Sequence, residues 1–144
     1  MERIGLIAGS GQFPNIFSKA AKQRGLKVYA VAHIGETDPE LETLVEAITW
    51  VKIGQVNRLI SFLKQNEVHD AVMVGAIAKV KMFSGVRPDL RAFKVLATMD
   101  HTLDDGLLRA FAGELEKEGI AVRSSTFLVP WLSSLPTLKR FLRL

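Results

Sequence analysis

Residues Ile4-Gly5-Leu6-Ile7-Ala8-Gly9-Ser10-Gly11-Gln12-Phe13-Pro14 carry a short apolar run into a Gly-x-Gly turn, and a helix-periodic segment follows. This order commits the start of the chain to a strand, a tight turn and a helix. Glycine also lets backbone N–H groups approach an anion closely, and the helix N-terminus behind the turn favours negative charge. Gly9, Ser10 and Gly11 are therefore candidate phosphate-binding residues. Pro14 stands where the third glycine of a dinucleotide fingerprint would be, so the motif is incomplete. A tight strand-to-helix turn with no ligand would need the same glycines.

The remaining pattern repeats that unit. Arg3 to Ala8 reads as a first strand, and Gln12 to Arg24 as a helix with Phe13, Ile16, Phe17 and Ala20 on one face and Gly25 as its stop. Leu26 to Ala32 reads as a second strand, Glu36 to Glu46 as a turn or short helix begun by Asp38-Pro39, and Ile48 to Ile53 as a third strand. Gln55 to Asn66 is a helix with Val56, Leu59, Ile60 and Leu63 inward. Ala71 to Gly75 is a fourth strand, apolar throughout as a central parallel strand should be. Lys79 to Pro88 reads as a loop and Leu90 to Thr98 as a helix. Leu103, Leu107, Leu108, Phe111 and Leu115 mark a last helical stripe ending near Gly119, and Ile120 to Arg123 a fifth strand.

Strands alternating with helices imply an α/β fold. The expectation is a Rossmann-like, mostly parallel sheet of about five strands with helices on both faces. With 144 residues, 48% of them apolar, one domain with a real core is expected. Ligands of such sheets bind beyond the carboxyl ends of the strands, which brings the Gly9–Gly11 turn and Gly75 toward one another.

Composition narrows the chemistry. The chain has no cysteine, so disulfides and thiolate metal sites are excluded. No secretory signal and no membrane-spanning stretch is apparent. A net charge of +4 suits an anionic partner, although it can equally serve solubility. The basic residues are scattered and the aromatics do not form a stacking platform, which argues against nucleic acid.

Asp104 and Asp105 are weak candidates for a metal or general-base pair. Thr102 and Asp105 also have the spacing of a capping box, and both carboxylates suit a helix start. None of His33, His69 and His101 has zinc-ligand spacing. His33 ends the second strand, where a dinucleotide enzyme carries an acid for ribose. A ribose contact by His33 is open, and the missing acid counts against NAD. Gly75 and Ala76 close the fourth strand, where glycine permits close backbone approach to a ligand, and Lys79 could reach a phosphate. There is no Ser-His-Asp order and no Walker motif.

Together, Leu6-Ile7-Ala8-Gly9-Ser10-Gly11-Gln12-Phe13-Pro14, Gly75-Ala76-Ile77-Ala78-Lys79, Phe83, Asp104-Asp105-Gly106-Leu107-Leu108 and Glu116-Lys117-Glu118-Gly119 follow in order. This set resembles the amino-terminal domain of UDP-2,3-diacylglucosamine pyrophosphatases of the LpxI type, over about residues 1–128. The resemblance implies hydrolysis of UDP-2,3-diacylglucosamine to UMP and 2,3-diacylglucosamine 1-phosphate (lipid X) in lipid A synthesis, with a divalent cation, usually Mg2+. It implies work in the cytoplasm, peripheral at the inner membrane of a Gram-negative bacterium. By position, Gly11, Gln12, Gly75 and Ala76 would meet substrate beside Gly9 and Ser10 of the same loop, with Val122 a weaker candidate. Ala76 departs from the polar residue frequent there, so that match is one of backbone only. The family's second domain carries the catalytic aspartate, and nothing here matches it. Residues 129–144, apolar and basic, then read as a tail or the start of a linker, and the metal ligands stay unknown. A homodimer is compatible with this reading. The alternative is a non-catalytic Rossmann-like nucleotide-binding or assembly domain.

Overall fold

The computed structural model describes residues 2–52, 54–74 and 105–123, with side chains in the last stretch from residue 110 onward. Its elements run β1 (Arg3–Ala8), α1 (Phe13–Gln23), β2 (Lys27–His33), a 3-10 turn (Pro39–Thr43), β3 (Ala47–Val51), α2 (Val56–Gln65), β4 (Asp70–Val74), α3 (Asp105–Glu116) and β5 (Ala121–Arg123). The five strands form one sheet in the order β3-β2-β1-β4-β5. Every pairing is parallel, with Leu6 opposite both Ala30 of β2 and Val72 of β4.

The chain moves outward from β1 through β2 to β3, then crosses back over β1 to β4 and β5. Connections of one hand that travel in opposite directions must fall on opposite faces. α1 and the 3-10 turn cover one face. There Ile4, Leu6 and Ala8 of β1, Val28 and Ala30 of β2, and Val72 and Val74 of β4 meet Phe17, Ala20, Ala21 and Leu41. α2 and α3 cover the other. There Ile7, Tyr29, Val31 and Ala71 meet Val56, Leu59, Ile60, Leu63 and Leu115. Alternate residues of β1 thus serve opposite cores, as a period of two requires.

Gly5 has a packing role rather than a conformational one. A Cβ there would lie 3.0 Å from Leu63 Cδ2, 3.0 Å from Val68 Cγ1 and 3.2 Å from Ala71 Cβ. Its bare backbone lets α2 sit close over the centre of the sheet.

Several boundaries differ from expectation by a residue or two. β3 starts at Ala47 and ends at Val51 rather than running from Ile48 to Ile53. β2 extends through His33, and β4 stops at Val74, before Gly75. Glu36 to Glu46 contains a 3-10 turn that Asp38 caps by accepting from the Glu40 N–H at 2.9 Å. The loop expected over Lys79 to Pro88, the helix over Leu90 to Thr98 and the tail 129–144 lie outside the described residues. No helix among the described residues is long and apolar enough to cross a membrane.

Candidate site at the carboxyl ends of the strands

β1, β2 and β4 end side by side at one edge of the sheet, and the strand order reverses between β1 and β4. In an open parallel sheet that reversal leaves a crevice, because the connections on either side lead away to opposite faces. The Gly9–Gln12 loop lies at this point. The Gly9 N–H donates to Val74 O at 2.8 Å, which ties the loop to the end of β4. Gly11 and Gln12 are exposed, and Gly11 has φ +90, a region that favours glycine.

The loop delivers the chain into α1. Gln12 is the residue before the helix, and its side chain does not cap it. Pro14 occupies the first turn, where its missing N–H costs nothing, and no acidic residue lies in that turn. The first-turn amides and the helix dipole therefore face the crevice without a carboxylate of their own helix.

A hydrogen-bonded knot braces the β2 side. His33, 6% exposed, makes a 2.8 Å hydrogen bond from Nδ1 to Ala8 O. A carbonyl only accepts, so Nδ1 carries the proton. The His33 N–H donates to Thr37 Oγ1 at 2.8 Å, and the Thr37 hydroxyl donates to Ala8 O at 2.9 Å. Burial holds the His33 pKa below its ordinary value, against the opposing pull of the Ala8 bond and of Glu36. The sequence left His33 open as a ribose partner. The structure shows it as a brace between β1 and the β2 loop through Nδ1.

The same loop brings up Asp38, whose Asp-Pro pair marks only a turn in the sequence. Asp38 Oδ2 accepts from Gln12 Nε2 at 2.9 Å and from Asn15 Nδ2 at 3.3 Å, and Asn15 Nδ2 also faces Gln12 Oε1 at 3.2 Å. The Glu40 N–H and the Gln12 amide, then Asn15, hold the Asp38 carboxyl below its ordinary range. Asn15 is 2% exposed. No local pattern marks this trio, since the Gln12–Asp38 bond spans 26 residues. The one available clue was a helix start lacking its own acid or cap.

The other expected site residues are distributed differently. Val122 lies on β5, beyond β4 from the glycine loop, and packs half-buried against the α2–α3 core. Asp105 begins α3. Gly75, Ala76, Lys79, His101 and Asp104 lie outside the described residues, although Gly75 directly follows the Val74 carbonyl that binds the loop. His69 is exposed, just before β4. Among the described residues no three His, Cys, Asp or Glu side chains gather to hold a metal ion. Asp38 accepts from N–H donors through both oxygens.

Residues 3–132 match the family described as the LpxI N-terminal domain, and the chain belongs to that family. Membership relates it to the lipid A pathway. No curated protein matches it. Among solved structures it is similar to N5-carboxyaminoimidazole ribonucleotide synthetase from Thermotoga maritima, with a TM-score of 0.50 and 16% identity over 99% of this chain and 30% of that one. It is also similar to a UDP-glucose-4-epimerase from Stenotrophomonas maltophila, solved with bound NAD and formylated UDP-arabinopyranose. There the TM-score is 0.52 and the identity 11%, over 86% of this chain and 36% of that one. At such identities the likeness is one of fold: a Rossmann-like α/β sheet. The chain spans about a third of the length of these structures.

Proposed function

We propose that this LpxI amino-terminal domain is the substrate-binding part of a UDP-2,3-diacylglucosamine pyrophosphatase. In the proposed reaction water adds to one phosphorus of the diphosphate and the bridging P–O bond breaks. The products are UMP and 2,3-diacylglucosamine 1-phosphate. The observation that carries the reading is the Gly9–Gln12 loop. It is fixed to β4 by the Gly9 N–H bond to Val74 O, and it opens onto the uncapped start of α1 at the point where strand order reverses. Backbone N–H groups and a helix dipole at such a point favour a phosphate group. A net charge of +4 favours an anionic, acylated substrate and an anionic membrane surface.

The chain's proposed part is binding and orientation. Gly9, Ser10, Gly11 and Gln12 meet the diphosphate through their backbone, and Gly75 and Ala76 border it from the β4 side. Magnesium, when bound, neutralises charge developing on the phosphoryl oxygens. In this reading its ligands and the catalytic aspartate belong to residues other than the described ones. The proposed setting is the cytoplasmic face of the inner membrane of a Gram-negative bacterium, where the acylated substrate resides.

The test combines binding with turnover. The 144-residue chain is titrated with UDP-2,3-diacylglucosamine in detergent micelles, then incubated with it and magnesium while UMP is followed by mass spectrometry. Saturable binding with no UMP above the control is expected. Robust turnover would show that the catalytic groups lie within this chain, and Asp104 and Asp105 would be the first to substitute. No binding would overturn the reading in favour of an assembly domain.

A further inference from the structure

We propose that Asp38 is a positioning residue for the Gly9–Gln12 loop, holding it in its ligand-binding form through the side chain of Gln12. The inference rests on the reading that this loop meets the substrate. Gln12 is exposed, and among the described residues nothing lies within 4 Å of where a Cβ would stand on Gly11 before it. The side-chain bonds of Gln12 help to hold the tip of the loop: its Nε2 donates to Asp38 Oδ2 at 2.9 Å and its Oε1 lies 3.2 Å from Asn15 Nδ2. Asn15 Nδ2 also reaches Asp38 Oδ2 at 3.3 Å, so three side chains close a triangle.

Asp38 is itself well anchored. Its Oδ1 accepts from the Glu40 N–H at 2.9 Å, and its neighbour Thr37, 5% exposed, donates to Ala8 O at 2.9 Å. The end of β1, the β2 loop and the glycine loop thus form one connected network. Two consequences follow. The Gln12 side chain is turned toward the β2 loop, so what Gln12 offers a ligand is its backbone. The carboxylate absent from the first turn of α1 arrives from the neighbouring loop, on the β2 side, which leaves the β4 side for the anion.

Asp38→Ser separates positioning from capping. Serine still caps the 3-10 turn at the Glu40 N–H, but is too short to hold Gln12 and Asn15. Amide hydrogen exchange at Gly9 and Ile16, whose N–H groups bond to Val74 O and Gln12 O at the two ends of the loop, is measured for the wild-type chain, Asp38→Ser, Gln12→Ala and the double variant, along with the Kd for UDP-2,3-diacylglucosamine in detergent micelles. Each single variant is expected to speed exchange at the loop severalfold while leaving β1 and α2 unchanged. Each is expected to weaken binding by about five- to tenfold, with the double variant no worse than either. Unchanged loop exchange, or additive effects of the two substitutions, would overturn the proposal. Should Asp38→Ser fail to fold, Gln12→Ala removes the same bond from an exposed position and decides the matter. A wild-type chain that does not bind the lipid would sink the functional reading alone. The exchange data would still judge Asp38.

Discussion

Gly11→Ala isolates the cost of one backbone angle. Gly11 sits at φ +90 with nothing among the described residues within 4 Å of an added Cβ, so the penalty for alanine there is conformational. Left-handed backbone costs a residue with a Cβ about 1–2 kcal/mol. For a domain of this size that lowers the melting temperature by roughly 2–6 °C. Gly25, which ends α1 at φ +81 with equally open surroundings, is the matched control. Gly25→Ala should cost the same stability at the far end of the helix. Thermal and urea denaturation of both variants give the two penalties, and titration with UDP-2,3-diacylglucosamine separates them. Only Gly11→Ala should weaken binding, because only there does the strain fall on backbone assigned to the ligand. Unchanged stability in Gly11→Ala would show that the loop does not need its left-handed turn. Equal loss of binding in both variants would show that the effect travels through global stability, and the argument for the loop would fail.

Other expectations follow from the packing and the charges. Gly5→Val should destabilise by about 1–3 kcal/mol or more in urea unfolding, because its Cβ would approach Leu63 and Val68 to 3.0 Å in a filled core. His33 should titrate by NMR below its ordinary 6.5, since burial disfavours the imidazolium. The unfolded chain then binds the proton first, so stability should fall as pH drops below 6.5 and level off below the folded pKa. His33→Gln should flatten that window. Lys64→Ala, which removes the 2.9 Å pair with Glu118, should change stability by less than about 1 kcal/mol, because the lysine side chain is 54% exposed.

The elements legible in the sequence were those with a repeating apolar signal or a glycine stop. β1 runs from Arg3 to Ala8 as read, and Val56, Leu59, Ile60 and Leu63 of α2 are all buried. Gly25 ends α1 through its positive φ. Strand ends were less legible. Whether Ile53 or Ala47 belongs to β3 depends on where β2 offers a partner, and Ala47 pairs with Tyr29. The glycine loop was legible as a turn because Gly-x-Gly has few other uses. Its surroundings were not. At the end of β2, where a dinucleotide enzyme carries an acid, the sequence has His33. The fold brings Asp38 from further along the loop, held there by the Glu40 N–H and by Gln12 on the β2 side. Contacts of that kind join residues far apart in sequence and leave no periodic trace. His33 was ambiguous for the same reason: only the sheet register shows that its ring meets the carbonyl of Ala8.

The most direct test is a chemical-shift titration of the 15N-labelled chain with UDP-2,3-diacylglucosamine in detergent micelles. Saturable shifts concentrated at Gly9 to Gln12 and at Val74 are predicted, with Lys27 and Asp70 at the opposite ends of their strands unmoved. Saturable shifts centred on that opposite edge, or none at any lipid concentration, would contradict the assignment of the substrate to the carboxyl edge of the sheet.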